Sequence, residues 1–425
     1  MTSAAPASEL APRTRRTAPD PRLLLASQLI FNIGFFSVVP FLATVMRDDF
    51  GMGALAVGVV LGARTFAQQG MFLFGGALAD RWGARRSMVT GTLVRVTGYL
   101  LLAWATDFPT FLAGAIVTGI GGALFSPALE SLLATAEAAR KAGAGHKTSL
   151  FTLLVICGET GAVTGPLLGS LLLGIGFDAA LLAGAAVFAV MAAVFHRFLP
   201  AHRPATTKAG PADGTNRPAR ATPSGAWSCL RERRFVLFAA FYSVNLLAYN
   251  QLYFGLTVEL ERSGADTGAL GLLFSCASVM TIALQWPVSK LVRRMGRTPA
   301  FAIGFGLQGA GFAALAAFAT QPPGAAPIVP ALVMVAALCL GHMFVTPLAM
   351  GLVIDFAAGR PSGAYYGLLA SSGGVMVLLG NAVLGPLYEF ARTPSPAAAA
   401  PWLLMAAFTA VSAVFLPRCL PLPRS

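Results

Sequence analysis

The 425-residue chain is 56% apolar and only 11% charged, with a mean hydropathy of +0.71. That excludes an ordinary soluble globule, whose residues are about 25% charged. A formal net charge of +13 would suggest nucleic acid in a soluble protein. Here the cations collect between apolar runs, where membrane orientation and attraction to lipid headgroups account for them, and nucleic-acid binding is set aside.

Residues 1–22, rich in Ala, Pro and Arg, lack the apolar stretch and cleavage site of a signal peptide and are expected to form a disordered cytoplasmic tail. Apolar runs follow near 23–46, 55–79, 88–105, 109–134, 148–174 and 177–199. After a segment rich in Pro, Ala, Thr, Lys and Arg at 200–233 they resume near 234–258, 267–289, 299–319, 328–356, 363–388 and 398–417. At about 1.5 Å per residue, such runs suit a hydrocarbon core about 30 Å thick. The chain therefore reads as an all-α membrane protein with twelve transmembrane helices. Its two six-helix halves, 23–199 and 234–417, flank a flexible cytoplasmic linker at 200–233, and 418–425 forms a second tail.

Placing the N-terminus in the cytoplasm puts Arg13, Arg15, Arg16, Arg22, Arg81, Arg85, Arg86, Arg140, Lys141, Lys147, the linker cations, Lys290, Arg293, Arg294, Arg297, Arg360, Arg418 and Arg424 inside. Only Arg47, Arg262 and Arg392 then fall outside. This asymmetry predicts a multi-pass protein of the inner or plasma membrane with both termini cytoplasmic. The five cysteines are scattered, without metal-ligand spacing, and suggest neither a disulfide framework nor a metal site.

Between the second and third runs lies Gly75-Gly76-Ala77-Leu78-Ala79-Asp80-Arg81-Trp82-Gly83-Ala84-Arg85-Arg86, a tight charged hinge. Gly76 admits another helix, Asp80 offers a carboxylate to a neighbouring helix N-terminus, Gly83 permits the reversal, and Arg81, Arg85 and Arg86 hold the turn inside. Part of it recurs: Arg81-Trp82-Gly83 answers Arg294-Met295-Gly296 (294 − 81 = 213), as Asn32 answers Asn245 (245 − 32 = 213). Ser126-Pro127 then answers Thr346-Pro347 (346 − 126 = 220), and Gly165-Pro166 answers Gly385-Pro386 (385 − 165 = 220). Four pairs in order indicate a parallel repeat able to rock around a central site.

The hinge resembles the loop 2–3 signature of the major facilitator superfamily, G-x-x-x-D-R-x-G-R-R/K. In the fifth run, Gly161, Gly165, Pro166 and Gly169 are similar to the G-x-x-x-G-P-x-x-G-G motif of the family's antiporters. Physically they make a smooth packing stripe with a bend. The order Arg64 to Gly70, the hinge, Arg95 and Gly119 to Phe125 resembles bacterial twelve-helix drug:proton antiporters. One departure is Ala115, where that group often carries an arginine. The resemblance implies alternating-access export of a small amphipathic organic compound in exchange for protons, with spans 1, 4, 7 and 10 lining the cavity. A proton-linked importer, or a membrane sensor that does not transport, are the alternatives. In this reading the hinge clasps the cytoplasmic start of span 11, near Ser362 and Gly363, when the site faces outward. The second-half copy, with Ser289 for Gly76 and Arg293 for Asp80, makes the clasp lopsided.

Charged groups at mid-bilayer are costly and usually face a cavity or a partner. Glu159, Arg64 and His342 fall near the midplane and Arg95 shallower, so these four are the proton-coupling candidates, with Glu159 first. The alternative for Glu159 is a fixed pair with Arg64 or Arg95, and for His342 a buried ring bonded to a neighbour. Tyr242, Asn245, Tyr249 and Tyr253 at i, i+3, i+7 and i+11 fall on one helical face, as do Gln28, Asn32 and Phe35. With Gln68 they are candidates for the substrate cavity, or else for helix-packing contacts. No phosphate loop, H-E-x-x-H or G-x-S-x-G occurs, so no enzyme and no cofactor are expected, and an ion gradient should supply the energy. Oligomeric state is not legible.

Overall fold

The computed structural model describes residues 19–143, 149–199, 227–265, 268–324 and 328–420. Among them no strand occurs. The helices are α1 (Pro21–Phe36), α2 (Val39–Asp48), α3 (Ala54–Gln69), α4 (Phe72–Trp82), α5 (Ala84–Ala103), α6 (Phe108–Gly143), α7 (Leu150–Leu173) and α8 (Phe177–Phe198). After the gap come α9 (Ser228–Arg231), α10 (Arg233–Asn250), α11 (Gly255–Ser263), α12 (Gly268–Met295), α13 (Arg297–Phe318), α14 (Val329–Ala357), α15 (Gly363–Ala391) and α16 (Ala400–Phe415).

Nine of the described helical stretches are long and apolar enough to cross a bilayer. They correspond to the fourth to twelfth expected spans, and the first three are built differently. Span 1 divides into α1 and α2 where Pro40 enters the first turn of α2, span 2 divides at Gly70 and Met71, and α5 carries Arg85, Arg86 and Arg95. The expected tail at 1–22 and linker at 200–233 lie mostly outside the described residues. Within the linker, 228–231 is not loose chain: it forms α9, with Cys229 fully buried and Trp227 edge-on to Phe74 at 5.5 Å.

The repeat is visible in local form. Gly83 and Gly296 both take positive φ, +90° and +84°, which lets the chain turn directly from one helix into the next. Span 1 breaks at 37–38 and span 7 at 251–254; a shift of 213 carries 37–38 onto 250–251, so the two interruptions overlap at residue 251. Pro127, Pro166, Pro347 and Pro386 all lie inside continuous helices. Neighbouring helices and side chains tolerate such prolines within a membrane.

The glycine stripe of α7 lies against α1. A Cβ at Gly161 would stand 2.6 Å from the Asn32 Cβ, and one at Gly165 equally close to the Phe36 Cβ. At Gly385, the repeat partner of Gly165, a Cβ would meet nothing within 4 Å. Gly165→Ala is therefore expected to destabilise by about 1–3 kcal/mol. Gly385→Ala should be neutral or stabilise by up to about 1 kcal/mol. Thermal unfolding of the two purified variants in detergent checks the opposite signs.

Candidate functional site

On the hinge side, Asp80 at the end of α4 faces the first turn of α15. Its Oδ1 accepts from the Gly363 N–H at 2.8 Å and its Oδ2 from the Ala364 N–H at 2.7 Å. These are two of the donors that a helix start leaves unpaired, at the positive end of its dipole. Gly76 makes the approach possible, because a Cβ there would run into the Gly363 carbonyl. Two turns deeper, Ser371 donates to the Gln69 carbonyl at 3.1 Å and accepts from the Leu73 N–H at 2.9 Å. Ser131 and Ser362 share a hydrogen bond of 3.0 Å. Arg85 donates to the His196 carbonyl at the end of α8, while Arg81 and Arg86 are exposed. The second-half copy is simpler. Ser289 meets Thr152 of α7 through one hydroxyl bond of 2.8 Å, and Arg293 is exposed.

Deeper in the bundle, candidates from separate helices meet. Tyr249 of α10 donates to Glu159 Oε1 of α7 at 3.4 Å, across the two halves, and its ring stacks on His342 of α14 with centroids 4.3 Å apart. Asn245, one turn earlier on α10, donates to Thr346 Oγ1 at 3.1 Å and lies 3.2 Å from His342 Nδ1. Its Oδ1 accepts from Gln308 of α13 at 2.7 Å. The Tyr242 phenol also reaches Thr346 and Asn245. Glu159 is thus joined to Tyr242 through Tyr249, His342, Asn245 and Thr346. Gln28 and Asn32 of α1 face α7 at Gly158, next to Glu159 in the chain: a Cβ on Gly158 would lie 3.7 and 3.2 Å from their amide nitrogens. Tyr253 lies beyond the end of α10 at Asn250, its ring 5.2 Å from Phe274 and its phenol still in electrostatic reach of Glu159.

The arginines do not pair with Glu159. Arg64 donates to Gln68 at 2.9 Å and stands over the Phe35 ring at 4.3 Å. Arg95, wholly buried, stands 3.9 Å over Phe31, with Phe35 and Phe188 at 5.5 and 5.3 Å. None of its three guanidinium nitrogens has a hydrogen-bond partner. The rings hold it by cation–π attraction, about 2 kcal/mol or more when desolvated. The predicted alternative of a Glu159–arginine pair is thereby corrected: Arg95 is enclosed by rings of α1 and α8, and Arg64 is held by Phe35 of α1 and by Gln68. Phe35, a cavity candidate, lies beside both guanidinium groups.

One carboxylate escaped the sequence reading. Glu130 on α6, half-buried, lies in electrostatic reach of Tyr242 and Tyr366. It is the only charged residue between Asp107 and Glu137, which was signal enough. A criterion of midplane depth passes over it because it stands near the predicted end of span 4. Among the described residues no group of His, Cys, Asp and Glu is arranged to hold a metal ion.

The family model of the Major Facilitator Superfamily matches residues 24–381. An MFS-type transporter of Mycobacterium tuberculosis H37Rv is 31% identical over 379 residues, 87% of this chain and 86% of that protein. The multidrug resistance protein MdtH of Klebsiella pneumoniae is 31% identical over 267 residues, 63% of this chain and 62% of its own length. Among solved structures, the human organic anion transporter MFSD10 matches with a TM-score of 0.66 at 17% identity, over 93% of this chain and 98% of that one. A double-tryptophan mutant of XylE matches with a TM-score of 0.67 at 13% identity, over 94% and 95%. Likenesses this distant establish the fold.

Proposed function

Because the chain belongs to the Major Facilitator Superfamily and is a membrane transporter rather than an enzyme, we propose that it exports a small amphipathic organic compound in exchange for protons. It would do so from the inner or plasma membrane with both termini cytoplasmic. The observation that carries this reading is the contact of Glu159 with Tyr249. It sets a carboxylate, without a cationic partner among the described residues, at the meeting of the halves, joined to His342 by a stacked ring. Such a carboxylate takes up and releases a proton as its surroundings alternate between water and protein. The multidrug resistance proteins that share 31% identity favour export over import.

We read the arrangement as outward-facing, with the hinge side closed by Asp80 on α15, Ser131 on Ser362 and Ser289 on Thr152. A charge at a helix start is worth about 0.3–2 kcal/mol. One charge crossing 100 mV yields about 2.3 kcal/mol. The gradient is therefore of the size needed to open the clasp in every cycle.

The test is accumulation of a panel of labelled compounds in everted vesicles, with and without an uncoupler. We expect a subset to accumulate, an uncoupler to abolish it, and substrate addition to acid-loaded vesicles to raise the luminal pH. Accumulation of no compound, or accumulation indifferent to the uncoupler, refutes the reading.

A further inference from the structure

The helices α1 and α8 belong to the first and sixth spans and so run in opposite directions. They meet at depth, where Phe31 stands edge-on to Phe188 with centroids 5.8 Å apart and a Cβ on Gly34 would lie 2.9 Å from the Phe188 ring. Between them, toward the hinge side, lies a cavity of about 330 Å³ whose lining includes Leu23, Ala26 and Ile30 of α1 and Val187, Val190 and Val194 of α8. Leu23 comes eight residues before Phe31 and His196 eight after Phe188, so the groove runs about 12 Å from the paired rings to the helix ends. That is most of one leaflet's share, about 15 Å, of a hydrocarbon core. The rim is exposed, Val190 by 64% and Val187 by 42%. All the lining residues belong to the first half, so the groove opens on the flank of that half rather than between the halves.

The lining asks for no hydrogen bond. Ser27, its one polar side chain, gives its hydroxyl to the Leu23 carbonyl at 2.6 Å. A peptide backbone or a polar cargo would find no partner there, and a hydrocarbon chain needs none. The mouth is different. Arg22, exposed, adjoins Leu23; Arg197, exposed, lies two residues beyond Phe195; and Arg85 donates to the His196 carbonyl between them. Among the described residues neither Arg22 nor Arg197 has an ion-pair partner. Asp20, the acid at this end of α1, accepts from the Arg22 N–H at 2.9 Å. Three guanidinium groups against one carboxylate leave a formal excess of two positive charges (3 − 1 = 2).

An apolar depth and a cationic mouth match the two ends of an anionic phospholipid. A tail gains little by leaving its neighbours, which are as apolar as the groove, so the chain fixes the position and the headgroup supplies the preference. A second copy of the protein would instead bring its own hinge-side arginines to a mouth that is already basic. We propose that the groove between α1 and α8 holds one acyl chain of an anionic phospholipid of the hinge-side leaflet, with Arg22 and Arg197 at its phosphate.

The probe is phosphatidylglycerol carrying a photoactivatable diazirine in one acyl chain, compared with phosphatidylcholine carrying the same chain, in vesicles that contain the full-length protein. Peptide mass spectrometry should find the anionic lipid on 23–30 and 186–195, displaced by unlabelled phosphatidylglycerol and not by unlabelled phosphatidylcholine. Arg22→Gln and Arg197→Gln should each weaken the preference about fivefold, the worth of one cation beside anionic headgroups. Val190→Trp, which fills the groove from its exposed rim and leaves the arginines alone, should remove the labelling. Should a variant not fold, the competition between the two lipids on the wild-type chain still decides. Equal labelling and displacement by phosphatidylcholine, unchanged labelling of a folded Val190→Trp chain, a preference indifferent to both arginines, or a dimer that shields the two segments from either lipid overturns the site. Labelling requires neither gradient nor cargo, so the outcome bears on the groove and not on export.

Discussion

Asp80→Asn is expected to insert at normal levels and to lose most of its transport. Asn keeps one acceptor oxygen but turns an NH2 group toward either the Gly363 or the Ala364 N–H, which now stand 2.8 and 2.7 Å from the carboxylate. One helix-start donor is left unpaired in a partly buried place, and the charge that faced the dipole is gone. A lost acceptor of this kind costs about 1–3 kcal/mol. Each 1.4 kcal/mol is about tenfold in an equilibrium. The clasped state should therefore lose about tenfold or more of its weight. The measurement is initial accumulation in everted vesicles, normalised to membrane-inserted protein. A well-folded variant that exports at the normal rate refutes the clasp. Ser289→Ala, which removes the single hydroxyl bond of the second-half copy, should have a much smaller effect in the same assay.

Glu159→Gln is expected to separate proton movement from cargo movement. Glutamine preserves the shape of the side chain and still accepts from Tyr249, but it cannot ionise. Substrate-induced proton release from acid-loaded vesicles should fall to background. Exchange of labelled for unlabelled substrate across the membrane, which needs only a cargo site that rocks, should persist. Proton release at the wild-type rate from this variant would move the coupling role to another group, with His342 next in line through its stacking on Tyr249.

The parts of the molecule legible in the sequence are those governed by short-range chemistry and by length. Asp80 and the helix start at Gly363 suit each other as charge and dipole, and Gly76 beside them has no side chain to keep the backbones apart. The offset of 213 carries Gly83 onto Gly296, and both take the turn that glycine permits. The illegible parts depend on which side chains meet across helices. Arg64 and Arg95 look like partners for Glu159 when only depth is known. Phe31, Phe35 and Phe188 of α1 and α8 hold Arg95 of α5, and Phe35 with Gln68 holds Arg64 of α3, which no spacing within one helix reveals. Tyr253 stays in electrostatic reach of Glu159 but stands beyond the helix. The i+11 count assumes an unbroken helix, and the chain turns at 251–254.

That turn, with its counterpart at 37–38, leaves spans 1 and 7 each jointed toward the end away from the hinge. Beyond the joints the two tips are secured differently. On α11 the fully enclosed ion pair of Glu259 and Arg262 ties the segment to the Gln321 carbonyl, whereas on α2 the acid beside Arg47 and the arginine itself stand in the open. The second-half tip is thus anchored by buried charge, and the first-half tip by apolar contact alone, with Leu42 and Met46 of α2 wholly enclosed. Polar replacement of Leu42 or Met46 should accordingly loosen α2 without touching α11.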